Sequence, residues 1–170
     1  MNTDDLMTLV KSCPVLRRNF LGIFPSDMLP TQIPLPSSLI ANLDTSKESG
    51  SHLVCFYFPQ HGLPEYMDSY GMKPLPAFEK FMRYDYRYQS HLLQSPFSVV
   101  CGQYCLYYLL RRHQETSMDD VLSDFKDGDS IFNDYLVARY VDCHFNVRLP
   151  RFDFRWQREQ ISRSVKTNRF

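Results

Sequence analysis

The chain is expected to fold as one α+β domain, with a small mixed β-sheet packed against helices. Three observations predict this. Leu53 to Phe58 is an unbroken apolar and aromatic run of strand length, as a strand buried on both faces requires. Cys101 to Arg112 is apolar and aromatic for most of its length and too long for a strand, so it reads as a buried helix. Finally, 170 residues that are 44% hydrophobic and 15% aromatic, without an internal repeat or an obvious linker, fit a single domain with a real core.

Taken in order, Thr3 to Val10 predicts a short helix, with Thr3 as N-cap and Asp4 and Asp5 in the first turn. Phe20 to Pro30 predicts a brief strand that runs into a loop, and the proline-rich span from Pro30 to Pro36 enforces irregular, extended chain. Ser37 to Leu43 reads as a strand, followed by an exposed turn over Asp44 to Gly50. Leu53 to Phe58 is the central strand; Gln60 to Pro64 makes a turn, and Glu65 to Tyr70 is its hairpin partner, ending at Gly71. A helix is expected over Ala77 to Tyr86 and a short strand over Tyr88 to Leu93. The Cys101 helix follows, then helices over Met118 to Phe125 and Ile131 to Cys143, the last capped in Asp129-Ser130. Residues 1–147 form the expected domain and residues 148–170 a basic tail that mixes arginine with aromatics and has no clear period.

Lys+Arg and Asp+Glu balance at 19 each, so the molecule as a whole gives nucleic acid no electrostatic invitation. The balance is uneven, because Arg148 to Phe170 carries seven Lys/Arg against Asp153 and Glu159. Five cysteines at unrelated spacings, without paired CxxC motifs, argue against a zinc site and for free thiols in a reducing, intracellular compartment. The acidic start, Met1-Asn2-Thr3-Asp4-Asp5, does not read as a signal peptide, and no segment is long and apolar enough for a membrane span, so no membrane partner is expected.

The chemistry is carried by Gln94-Ser95-Pro96-Phe97-Ser98-Val99-Val100-Cys101-Gly102. A cysteine at the mouth of a helix sits among unpaired backbone N–H groups and at the positive dipole end, which favours its thiolate. Gln94, seven residues upstream, can fold back and donate to an oxyanion beside that sulfur, with the Cys101 backbone N–H as second donor. His52 opens the central strand and Asp68 closes its hairpin partner, so the hairpin brings a base and an acid together. Cys105, one turn beyond Cys101, is expected to be a buried structural thiol. His61, His91, His113 and His144 compete for the base role, with His91 the serious rival because it is near Gln94. His61 falls in a turn, and His113 falls at the exposed end of the Cys101 helix. Glu65 competes for the acid role but is expected to point to the other face of its strand.

With these residues in this order, the chain resembles the adenovirus-type cysteine endopeptidases (adenain), in the wider group that holds the SUMO-deconjugating proteases and the proteases of Polinton/Maverick elements. The resemblance covers roughly Phe20 to Leu110 and rests on Phe20-Leu21-Gly22-Ile23-Phe24 with Asp27 and Pro30, the His52 strand, Asp68-Ser69-Tyr70-Gly71, and the spacing from Gln94 to Cys101-Gly102. It implies the adenain/Ulp-like fold, with His52 as base, Asp68 as acid, Gln94 as oxyanion donor and Cys101 as nucleophile. It further implies precursor polypeptides of viral or mobile-element capsids as substrates, cut near small residues such as glycine, with the host nucleus and the virion as location. No cofactor or metal is expected. The family allows a peptide or DNA activator, but no cysteine lies between Cys55 and Cys101, so a disulfide-linked activating peptide is not expected. Leu53 stands where the family usually has tryptophan, which is expected to loosen the packing of the imidazole.

Other readings remain open at this point. An isopeptidase acting on ubiquitin-like modifiers would use the same machinery. A catalytically idle binding domain, or a nucleic-acid-binding domain working through Arg148 to Phe170, would not need all four residues. A monomer is expected, with the aromatics lining a narrow cleft for an extended peptide.

Overall fold

The computed structural model describes residues 2–145; the basic tail expected from Arg148 onward, and its boundary with the domain, lie outside them. In chain order the described elements are α1 (Thr3–Ser12), α2 (Pro14–Arg17), β1 (Phe20–Phe24), β2 (Ser37–Asn42), β3 (Leu53–Phe58), β4 (Glu65–Met67), α3 (Pro76–Phe81), β5 (Arg87–Tyr88), α4 (Cys101–His113), α5 (Met118–Ser123) and α6 (Ser130–Phe145).

The five strands lie side by side in chain order, so β3 is central. β2, β3 and β4 pair antiparallel, whereas β1 joins β2 and β5 joins β4 in parallel. This is the mixed α+β architecture the sequence predicts. All six residues of β3 are buried because both faces are covered. Leu53, Cys55 and Tyr57 face the larger core with α1 and α4 to α6; Val54, Phe56 and Phe58 face a second core containing Phe78 of α3. The aromatics mostly fill these cores, the largest fully buried side chains including Tyr66, Tyr104, Tyr107, Tyr108, Phe56 and Phe78.

Helix α4 is buried from Gly102 to Leu110, lying against β3 with α2, α5 and α6 around it. Gly102 permits a close crossing: a Cβ there would meet the Leu6 side chain of α1 at 3.2 Å. Among the described residues, no helix is long and apolar enough to cross a membrane.

Several boundaries differ from expectation, each for a local reason. Helix α1 is capped by Asn2 instead of Thr3: Asn2 Oδ1 accepts from the Asp5 N–H at 2.8 Å, and Asp5 Oδ2 accepts from the Asn2 N–H at 3.3 Å. α3 stops at Phe81 because Arg83 and Tyr84 adopt left-handed backbone (φ 60° and 62°), with the Tyr84 N–H donating to the Glu79 carbonyl at 2.8 Å. α5 stops at Ser123, short of the expected Phe125. β5 holds only Arg87–Tyr88, since beyond it the buried Gln89 side chain satisfies the backbone N–H and C=O of His91 in place of a neighbouring strand. β4 ends at Met67, and the cause of that break lies in the site itself.

Candidate active site

Asp68 terminates β4. Its Oδ1 accepts the Tyr70 backbone N–H at 2.8 Å, which pulls the chain out of the strand, and the Gly71 N–H donates to the Asp68 carbonyl at 2.9 Å. Gly71 has φ +70°, and a Cβ there would lie 2.6 Å from the His91 carbonyl oxygen, so only glycine lets this turn touch the 89–94 loop. In the β3–β4 register Cys55 opposes Met67 and Tyr57 opposes Glu65. His52 therefore reaches the same end of the hairpin as the Asp68 turn.

His52 Nε2 lies 2.7 Å from Asp68 Oδ1, with His52 9% and Asp68 0% exposed. With Nε2 committed to Asp68, Nδ1 is the nitrogen left to face Cys101, whose thiol lies near enough for the two groups to shift each other. Cys101 is the first residue of α4, and Val100 at the N-cap offers no side-chain bond to the first turn. Burial is the largest single influence on Cys101 and pushes its thiol up. The His52 hydrogen bond and charge, with the Leu53 and Gly102 backbone N–H groups, outweigh it and bring the thiol below its ordinary 9.0. On His52 burial again acts most strongly and pulls down, but the hydrogen bonds and charges of Asp68 and Cys101 together raise it from 6.5 to about 9. Each of the two groups thus favours the charged form of the other.

Gln94 is 1% exposed and fixed from three sides. Its Oε1 accepts from Ser69 Oγ at 2.6 Å; its Nε2 donates to the Ser98 carbonyl at 3.0 Å and to the Tyr70 hydroxyl at 3.3 Å. The Leu93 and Gln94 backbone N–H groups both donate to the Ser69 carbonyl at 2.9 Å. Behind the loop, buried Asp134 of α6 accepts from the Ser95 N–H at 3.3 Å and from the Tyr104 hydroxyl of α4 at 3.0 Å. Burial raises its carboxyl to about 6. Asn133 Nδ2 donates to the Leu93 carbonyl at 3.3 Å. The loop that carries Gln94 is thus tied to the Asp68 turn on one side and to α4 and α6 on the other.

The structure brings His52, Asp68 and Cys101 together, with Gln94 linked to them through Tyr70. The competing residues lie elsewhere. His91 is exposed, 3.7 Å from Asp127; His61 is exposed in the turn; His144 is exposed and stacks on Tyr140. His113 is not exposed as expected. It is half-buried, 2.8 Å from Ser38 Oγ, edge-on to Tyr57, and held down to about 4 first by burial and then by Arg112. Glu65 also corrects an expectation: it faces α4, the same side as Cys101, because strand alternation ends at Met67. It is excluded from the site by position along α4, bonding Tyr108 and Arg112 two to three turns beyond Cys101. Cys105 is buried against Cys55, and burial, followed by that contact, raises its thiol well above 9.0.

Sequence reasoning noted Ser69 and Tyr70 only as part of the Asp68-Ser69-Tyr70-Gly71 motif, without a role for either, and did not single out Asp134. Leu53 does not leave the imidazole loose, because the Tyr70 ring stacks on His52 with centroids 4.7 Å apart. The register held the signal: continued three residues past Cys55 and Met67, it sets His52 opposite Tyr70. Asp134 carries no comparable mark in its helix. An open groove of about 1000 Å³ bordered by Phe58 and Phe81 lies on the α3 side of the sheet, away from Cys101. Among the described residues, no cluster of three or more His, Cys, Asp or Glu is placed to hold a metal ion.

No family model and no curated protein matches the chain. Among solved structures, two crystal structures of the ASFV pS273R protease are similar to it. The selenomethionine form is 20% identical with a TM-score of 0.46, covering 62% of this chain and 45% of that one. The other is 18% identical with a TM-score of 0.47, covering 62% and 43%. The similarity therefore spans less than half the length of those protease chains.

Proposed function

We propose that the chain is a cysteine endopeptidase, a reading carried by one observation: a buried histidine hydrogen-bonded to Asp68 through Nε2 and set beside a helix-mouth cysteine, each of the two favouring the charged form of the other. In this reading the Cys101 thiolate attacks the scissile carbonyl carbon, forming the S–C bond and moving the π electron pair onto oxygen. Gln94 Nε2 and the Cys101 backbone N–H stabilise that oxyanion. The tetrahedral centre collapses, the C–N bond breaks, and His52 gives its Nδ1 proton to the departing amine. Water, losing a proton to His52, then attacks the thioester; the acid leaves and the thiolate returns. Asp68 keeps the imidazole oriented throughout. The substrates proposed are precursor polypeptides of viral or mobile-element particles, consistent with the family resemblance. Incubation with a peptide library and mass-spectrometric mapping of the cuts is the test, and no cleavage under reducing conditions would sink the reading. Modifier conjugates belong in the same assay, since their preferential cleavage would mark an isopeptidase.

Two substitutions probe the roles. Gln94→Ala is expected to lower kcat about 100- to 1000-fold with little change in KM, the usual effect of losing an oxyanion donor. Asp68→Asn is expected to lower kcat by about 10,000-fold without unfolding the protein, because Oδ1 makes both visible contacts and an amide oxygen can keep them while the carboxylate charge behind the imidazole is lost. With the carboxylate charge gone His52 loses part of what raises it, so the alkaline limit of activity is expected to fall below about 9. An unchanged limit in a pH–rate profile would contradict this.

A further inference from the structure

Tyr70 touches three of the four site residues. Its backbone N–H binds Asp68 Oδ1 at 2.8 Å, its ring stacks on His52 at 4.7 Å with 30° between planes, and its hydroxyl accepts from Gln94 Nε2 at 3.3 Å. Gln94 Nε2 has two hydrogens, and both are engaged in the free protein: one by the buried Ser98 carbonyl at 3.0 Å, the other by this hydroxyl. An oxyanion that uses Gln94 must take the second, which is the longer bond and the one on the half-buried side. The phenol oxygen therefore marks the edge of the place where the oxyanion arrives.

Its own proton is unspent, since no acceptor among the described residues takes the Tyr70 O–H. Burial, and after it the charge on Cys101, raises the phenol above its ordinary 10.0, so it stays a neutral donor across the working range of the thiolate. The ring cannot swing far, because it is held between the imidazole and a backbone fixed by Asp68 and Gly71.

We propose that the Tyr70 hydroxyl is a third donor of the oxyanion hole, turning its O–H onto the tetrahedral oxygen as Gln94 releases it. The inference rests on the endopeptidase reading. A free O–H that swings onto a forming negative charge makes its bond only in the transition state, so its effect belongs in kcat.

The test compares Tyr70→Phe with wild type on the peptide that wild type cleaves best. The ring, and with it the stack on His52, is retained. The expected result is a kcat lower by about 10- to 100-fold, the size of a hydrogen bond to a charged group, with KM and the pH profile of Cys101 alkylation unchanged. An unchanged or higher kcat overturns the proposal, as does a kcat loss that comes with a shifted alkylation profile, since the residue would then be acting through His52 and Cys101. If the variant does not fold, a crystal structure of wild type with a peptide aldehyde on Cys101 decides. The hydroxyl is expected about 2.7–3.1 Å from the hemithioacetal oxygen, and a hydroxyl turned away overturns the proposal. Cleavage that persists in Cys101→Ala would instead bring down the endopeptidase reading itself, and this inference with it.

Discussion

Replacing Cys101 with alanine is expected to abolish turnover, a loss on the order of a million-fold, the scale seen when a nucleophile that works as part of a unit is removed. Cys105→Ala, one helical turn further on, is expected to keep most activity, because that thiol is buried against Cys55 with burial holding it protonated. Equal activity in the two variants would overturn the assignment. The contrast is useful because the two residues share a helix, a face and a chemistry. They differ only in what surrounds the sulfur: His52 and two backbone N–H groups at position 101, apolar core at position 105.

The same difference has a pH signature. His52 is raised above its ordinary 6.5, so the stability it contributes is complete below pH 6.5 and is lost as pH rises through about 9. Cys101 is lowered, so its contribution is complete above 9.0 and is lost as pH falls through its native value. Between these limits both charged forms are favoured, and the limits belong to the two groups jointly. Iodoacetamide at mildly acidic pH is therefore expected to modify Cys101 ahead of the exposed Cys143, with the modified residue mapped by mass spectrometry. Preferential labelling of Cys143 would show that the Cys101 thiolate is not favoured.

The parts of this site that were legible in the sequence are those fixed by strong local rules. An apolar run of strand length in β3, a turn and a partner strand place His52 and the Asp68 turn at one end of a hairpin almost by counting. A long apolar helix places Cys101 at its mouth. What escaped depends on side chains replacing backbone rules. β4 stops where Asp68 captures the Tyr70 N–H, and β5 stops where Gln89 stands in for a strand. α3 ends on two left-handed residues that are neither glycine nor asparagine. Tyr70 was readable only by carrying the hairpin register beyond the last paired residues. Asp134 was not readable at all, since an acid in a helix looks solvated until Tyr104 and Ser95 are seen to bury it. The general pattern is that periodicity reveals which segments meet, whereas the contacts that aim a catalytic group come from residues with no periodic reason to be there.

Glu65→Ala is expected to lower stability by about 3–5 kcal/mol, because it strands a buried cation. Glu65 holds Arg112 in a two-pronged bond, Oε2 to Nε at 2.6 Å and Oε1 to Nη2 at 2.8 Å, and also accepts from the Tyr108 hydroxyl at 2.7 Å. The two charged side chains are only 4% and 11% exposed. Arg112 also lies over the Tyr57 ring, 4.5 Å from its centroid, so it cannot simply move into water when its partner is lost. For a domain of this size the change corresponds to roughly 6–20 °C in Tm, to be read by thermal unfolding, with Glu65→Gln as a milder companion that retains an acceptor. The double variant Glu65→Leu/Arg112→Leu is expected to be less damaged than Glu65→Ala, because removing both charges also removes the desolvated cation. Activity per folded molecule separates this structural role from a catalytic one. It is expected to stay near wild type in Glu65→Gln below its unfolding temperature, since the carboxylate lies two to three turns of α4 away from Cys101. A folded but inactive Glu65→Gln would make Glu65 part of the chemistry and displace Asp68 from the acid role.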